Sequence, residues 1–166
     1  ILFGNRWRRR FAKFIYKTAT SAPDMEANIK DRFYSEVIPT GESITSPALM
    51  FVTSPGKDTR GAFGIRLKTA NTYQIKAVIE GSDFAPLEPA ADDIDRLFDW
   101  QNQIDPDAGR PKSQQVYSDP DNPQKQIMIM SMKRIGNLRY VGLVDAVNYC
   151  HLGGEYEIEY YAINQG

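Results

Sequence analysis

Apolar and polar positions alternate with a period of two over long stretches of this chain. Phe63, Ile65 and Leu67 alternate with Gly64, Arg66 and Lys68, and Tyr73, Ile75, Ala77 and Ile79 alternate with Gln74, Lys76, Val78 and Glu80. Successive side chains of a strand point to opposite faces, so each run sets one face on a core and one toward water or a partner. Two such runs around Asn71-Thr72 predict a hairpin. Residues 126–132 read as a further strand, Ile135-Gly136-Asn137 as a tight turn, and residues 138–144 as the return strand. After His151-Leu152-Gly153-Gly154 a last strand is expected over 155–163. Residues 48–52 form a short apolar run among Ser, Thr, Pro and Gly, with Pro55-Gly56 as a turn signal.

A helical period shows more sparsely. Ile94, Leu97, Phe98 and Ile104 follow Asp92 and Asp93 and precede Pro106 and Gly109, which predicts a helix over about 91–104. Trp7, Phe11, Phe14 and Ile15 suit an amphipathic helix over 6–19, whereas Phe14, Tyr16 and Thr18 permit a strand, and the two readings stay open. Ile29, Phe33 and Val37 repeat every four residues before Pro39-Thr40-Gly41. Residues 105–125, broken by Pro106, Gly109, Pro111, Pro120 and Pro123, read as a long, contact-making polar loop. The expected fold is mainly β (α+β), an antiparallel barrel or sandwich of about 6–8 strands with one inserted helix. It divides into an arm, 1–23, and a single domain, 24–166.

Composition fits a globular domain, with 42% apolar and 25% charged residues. The uneven charge changes the picture more. Arg6, Arg8, Arg9, Arg10, Lys13 and Lys17 fall in residues 1–23 with no acid, and the rest of the chain holds fourteen basic against twenty-one acidic groups. A basic arm on an acidic body suits nucleic acid, or docking on a neighbouring copy. The interleaved Trp7, Phe11, Phe14 and Tyr16 favour docking, because an electrostatic tail needs no apolar anchors. Residues 1–5 lack the apolar core of a signal peptide, and no run reaches the length of a membrane span.

Candidate chemistry is thin. One cysteine, Cys150, and one histidine, His151, exclude a disulfide framework and the common metal clusters. On extended backbone these neighbours point to opposite faces, which disfavours a nucleophile–base pair. Asp92/Asp93 suit a helix start, and Asp119/Asp121 lack the glycine and closing glutamate of a calcium loop. Gly61-Ala62-Phe63-Gly64 opens an alternating strand, so it is not a phosphate loop. No catalytic, cofactor or metal residue is therefore expected, and the chain reads as a non-enzyme. Glu155, Glu157 and Glu159 lie on one strand face opposite Tyr156, Ile158 and Tyr160. That row suits an ordinary solvent face, or a channel lining that repels a polyanion.

Several pieces of the second half occur together in a familiar order. They are Tyr73-Gln74-Ile75-Lys76-Ala77-Val78-Ile79, Leu97-Phe98-Asp99-Trp100-Gln101-Asn102, Asp105-Pro106-Asp107-Ala108-Gly109-Arg110, and Ile127-Met128-Ile129-Met130. Gly136-Asn137, Tyr140-Val141-Gly142-Leu143-Val144 and Glu155-Tyr156-Glu157-Ile158-Glu159-Tyr160-Tyr161 follow. Over about residues 73–163 this order resembles the tail tube proteins of contractile-tailed bacteriophages and the related baseplate proteins that start the tube. The resemblance implies a virion structural protein assembled in the bacterial host cytoplasm. It would be a tube, initiator, terminator or baseplate component forming a six-fold ring with copies of itself. Other tail or baseplate proteins would be partners and DNA would pass through, with no membrane, small-molecule substrate or cofactor. Glu155, Glu157 and Glu159 would line the lumen, while Arg6, Trp7, Arg8, Arg9, Arg10, Phe11, Trp100 and Arg110 would make subunit contacts. Two other classes fit the same composition. One is a capsid-like β-domain whose arm binds nucleic acid, and the other a carbohydrate-binding β-sandwich with Trp7, Trp100 or Tyr117 as its platform.

Overall fold

The long alternating runs fold as long strands. The structure is a computed structural model describing residues 14–19, 29, 32–35, 41, 43–53, 57–60, 66–100, 104–105, 110–111, 115–119 and 122–163. In chain order the strands are β1 (Phe33–Ser35), β2 (Ala48–Thr53), β3 (Lys57–Arg60), β4 (Arg66–Glu80), β5 (Ile104–Asp105), β6 (Arg110–Pro111), β7 (Gln115–Asp119), β8 (Asn122–Val144) and β9 (Val147–Ala162). Helix α1 (Glu88–Phe98) lies between β4 and β5.

The main sheet runs β1-β2-β4-β9-β8-β7, with β3 beside the start of β4. β1 and β2 are parallel and the other neighbours antiparallel. The mainly β expectation holds, but this sheet is open rather than closed into a barrel. Its apolar face is covered by helix, which removes the need for a second sheet. Tyr73, Ile75, Ala77 and Ile79 of β4 and Cys150, Tyr156, Ile158 and Tyr160 of β9 form that face. Ala90, Ile94 and Phe98 of α1 close over it with Leu87, Trp100, Phe14 and Ile15. Asp95 ties the helix down, accepting from Arg134 Nη1 at 2.8 Å and from the Tyr156 hydroxyl at 3.1 Å.

Two expected turns are replaced by continuous strand, and one expected loop by several strands. β4 runs straight through Asn71-Thr72, which pair with Ile158 and Glu157 of β9. Asn71 Nδ2 donates to the hydroxyls of Tyr73 and Tyr160, so this polar residue is satisfied inside the ladder instead of turning the chain. β8 likewise runs through Gly136-Asn137. Its pairing with β9 shifts between Ile129 and Ser131 and again between Arg134 and Gly136. Each bulge adds one residue and exchanges the faces of the strand beyond it. The buried set Ile127, Ile129, Met132 breaks strict alternation for that reason. The polar stretch 105–125 is not one loop, because it holds β6, β7 and the start of β8.

The reversal of β8 comes instead at Asp145-Ala146, with φ of 48° and 62°. Two positive φ values in a two-residue connection match the twist of a hairpin, at a cost when the second residue carries a Cβ. The helix also differs from expectation, starting near Pro89 and ending at Phe98, short of residue 104. Proline suits a first helical turn, whose N–H has no intrahelical acceptor. Asp99 is extended (ψ 90°), and Trp100 then turns into the core. Of the arm, residues 14–19 are helical, whereas Phe33 of the four-residue repeat lies in β1. Val37, Phe63 and Ile65 lie outside the described residues.

Two substitutions probe this geometry. Ala146→Gly is expected to raise unfolding stability by about 1 kcal/mol in chemical denaturation, by relieving the left-handed Ala. A Cβ on Gly153 would strike the Ile75 carbonyl oxygen and lie 2.6 Å from Lys76 Cα. Gly153→Ala is therefore expected to cost about 1–3 kcal/mol, read as a lower melting temperature.

Candidate functional site

The sheet face turned away from α1 carries most of the unassigned polar chemistry. Its side chains come from the even positions of β4 and the odd positions of β9, as strand alternation requires. A small apolar cluster covers one end, with Ile44, Ala48, Met50, Val78 and Tyr149 buried together.

Glu155, Glu157 and Glu159 follow along β9. Their expected arrangement holds, because Tyr156, Ile158 and Tyr160 are core and the three carboxylates share the other face. The row is less acidic than the sequence suggests. Glu159 pairs with Lys68 at 3.2 Å and Glu157 with Lys133 at 3.4 Å. Glu155 accepts from Gln74 Nε2 at 3.5 Å. These ion pairs are partly exposed, so each contributes a fraction of a kcal/mol, in the range of about 0–1 kcal/mol.

Between the apolar cluster and the glutamates lies a cluster that crosses three strands. Lys76 of β4 is 3% exposed, although lysine is rarely buried without a partner. Its side chain crosses β9 at Gly153, and Nζ donates to the Tyr140 hydroxyl of β8 at 2.5 Å and to Gln74 Oε1 at 3.5 Å. The ammonium lies 5.0 Å from the Tyr140 ring centroid, a cation–π distance. Both hydrogen-bond partners are neutral, and the Gln74 amide links Lys76 to Glu155. The absent Cβ at Gly153 is what lets β4 and the lysine stem come so close.

His151 completes this cluster. Its ring stacks on Tyr140 with centroids 4.5 Å apart and planes 8° from parallel. Nδ1 is buried and has no hydrogen-bond partner among the described residues. Burial, and secondly the charge of Lys76, lower its pKa to about 4, so it is neutral at pH 7. Cys150 points to the other face, where Sγ donates to the Gly81 carbonyl at 3.2 Å. Burial, then Asp83, pushes its thiol pKa up, away from the reactive thiolate. The two neighbours thus lie on opposite faces, as extended backbone demands.

The other candidate residues scatter. Trp100 is 3% exposed and Tyr117 9%, both packed in the core. Their rings pack within this chain's own core, which leaves little of either for a sugar or a neighbouring copy to touch. Arg6, Trp7, Arg8, Arg9, Arg10 and Phe11 lie outside the described residues, as does the side chain of Arg110 in β6. Asp93 pairs with Arg96 at 2.7 Å on α1, Asp119 ends β7, and Asp121 lies outside the described residues. Among the described residues no acidic, His or Cys group is arranged to hold a metal, and no helix is long and apolar enough to cross a membrane. Lys76 and Tyr140 went unnoticed in the sequence because each occupies an ordinary place in an alternating strand. Only the register brings them together. The sequence matches no family model and no curated protein.

Acid should loosen this cluster. The folded pKa of His151 lies below the ordinary 6.5, so its contribution to stability is full above pH 6.5 and lost as pH falls toward 4. Screening by solvent reduces the loss below the full linkage value, to about 1–3 kcal/mol. Lys76 and Tyr140 face the ring, and Glu155 is the nearest carboxylate in the hydrogen-bond chain. Between pH 7 and 4 the native chain should therefore lose melting temperature relative to His151→Phe. A constant gap between them would contradict the assignment.

Proposed function

We propose that the chain is a structural subunit of a bacteriophage tail, as a tube, tube-initiator, terminator or baseplate component. It assembles with copies of itself into rings, with six-fold symmetry by resemblance, and the rings form a conduit for DNA. Virion tail is its place of action. The observation that supports this reading is the asymmetry of the sheet. One face is sealed by α1 and the apolar core, while the other holds Glu155, Glu157 and Glu159 in one row beside Lys68 and Lys133. A polar sheet face left open by the helix suits the lining of an aqueous channel once copies stand side by side. The alternating acids and bases suit a wall along which a polyanion slides without binding tightly, since fixed positive charge is what holds nucleic acid.

Open strand edges support the same reading, because an edge that is a hazard in a monomer is a joint in an assembly. The order of short motifs over about residues 73–163 supplies the choice of a tail over other assemblies.

Negative-stain electron microscopy of the purified full chain, with sedimentation velocity at several concentrations, tests the proposal. Rings or short tubes with a central hole are expected. A monomer at every concentration would overturn self-assembly as the working mode.

A further inference from the structure

Among the described residues, β8 has one side only half covered. β7 pairs with it as far as Ile129, while β9 pairs with its other side through to Val144. Among the described residues no strand lies against the outer side of residues 130–144. Beyond the second bulge the register with β9 is regular from Asn137 to Val144. Protected edges are short, or carry proline or several charges. From Asn137 to Val144 there is no proline, and the single charged residue there, Arg139, lies over the Phe84 ring at 4.4 Å. Val141, Leu143 and Val144 are 46%, 70% and 43% exposed.

The turn fixes which backbone groups point outward. Val144 and Val147 close a two-residue connection and so form a hydrogen-bonded pair. Pairs alternate along an antiparallel ladder, so Arg139, Val141 and Leu143 hold their N–H and C=O groups away from β9.

We propose that this edge pairs with the same edge of a second copy, antiparallel about a two-fold axis at Val141. Length selects the occupant. Among the described strands with an open side, β1, β3 and β7 have three, four and five residues, and β5 and β6 two each. Only the edge's own twin matches it. Charge and the turn select the register, because centring on Leu143 would run the ladder into Asp145-Ala146. Centring on Val141 sets Val141 against its counterpart, Arg139 against Leu143, Leu138 against Val144 and Tyr140 against Gly142. No charge then opposes a like charge, whereas centring on Arg139 would oppose two guanidinium groups. The contact goes beyond the ring proposal, since a two-fold joint closes on pairs. In a ring-forming protein it would join subunits of two rings back to back.

A cysteine at the axis reads the register directly. Hydrogen-bonded antiparallel partners lie about 5.5 Å apart at Cα, within disulfide reach. Two copies of residue 143 would be about 14 Å apart, beyond it. Mild oxidation of the full-length Val141→Cys protein is expected to give a covalent dimer, and Leu143→Cys and the native chain to give none. Val141→Pro should lose dimerisation in sedimentation while keeping its circular dichroism, because the N–H it removes points away from β9. Equal linkage at both positions, or an unlinked Val141→Cys protein, would overturn the two-fold joint. Rings without linkage at 141 would reject the joint and keep the tail proposal. A linked dimer that forms no rings would support the joint and reject the tail proposal.

Discussion

Everything in this molecule is arranged around the hydrogen-bonded ladder of β4, β9 and β8. β9 is the central rail, paired with β4 from Tyr149 to Tyr160 and with β8 from Val147 to Ala162. Buried backbone groups must find partners, and here the two neighbours of one strand satisfy them along nearly its whole length. Gly153 marks where that demand is tightest, since β4 passes closer than any side chain at that position would allow. The helix, the core and the polar face take their positions from this rail.

The ladder divides the chemistry by parity. On one side, Tyr156, Ile158 and Tyr160 join Phe98 and Ile94 in a core, and Arg134 and Tyr156 anchor α1 through Asp95. The Tyr156 hydroxyl is held protonated by burial first and by the adjacent carboxylate second. On the other side, lysine, glutamine, tyrosine, histidine and glutamate share a surface with a small apolar cluster. The buried Lys76 illustrates what cross-strand geometry does. Its charge meets a phenol and an amide across three strands, and Glu155 is reached only through Gln74. Burial of such a charge is tolerable when it is hydrogen-bonded, and here a phenol and an amide accept two of the ammonium's three donors.

Much of this was legible beforehand. The alternation of residues 73–79 and 155–160 gave the faces of β4 and β9, and the glutamate row lies where the pattern put it. Ile94 and Phe98 likewise identified α1. Turns were the weak point. Gly136-Asn137 and Asn71-Thr72 have turn chemistry, yet both sit in strands whose ladder partners outweigh local preference. Asp145-Ala146 lacks the glycine that usually announces a hairpin, and it is where the chain reverses.

The sequence by itself determined the class of the fold and the two faces of its central strands, because side-chain alternation is a property of extended backbone alone. It also determined that Cys150 and His151 part company. Tertiary structure decided how far each strand runs, that the sheet stays open, and which polar residues meet. Those outcomes depend on register, and register is set by pairing between segments distant in the chain. Two bulges in β8 shift that pairing by one residue each, enough to carry Tyr140 to His151 and within reach of Lys76. No local pattern encodes such a shift, because the energy that selects it comes from the neighbouring strand.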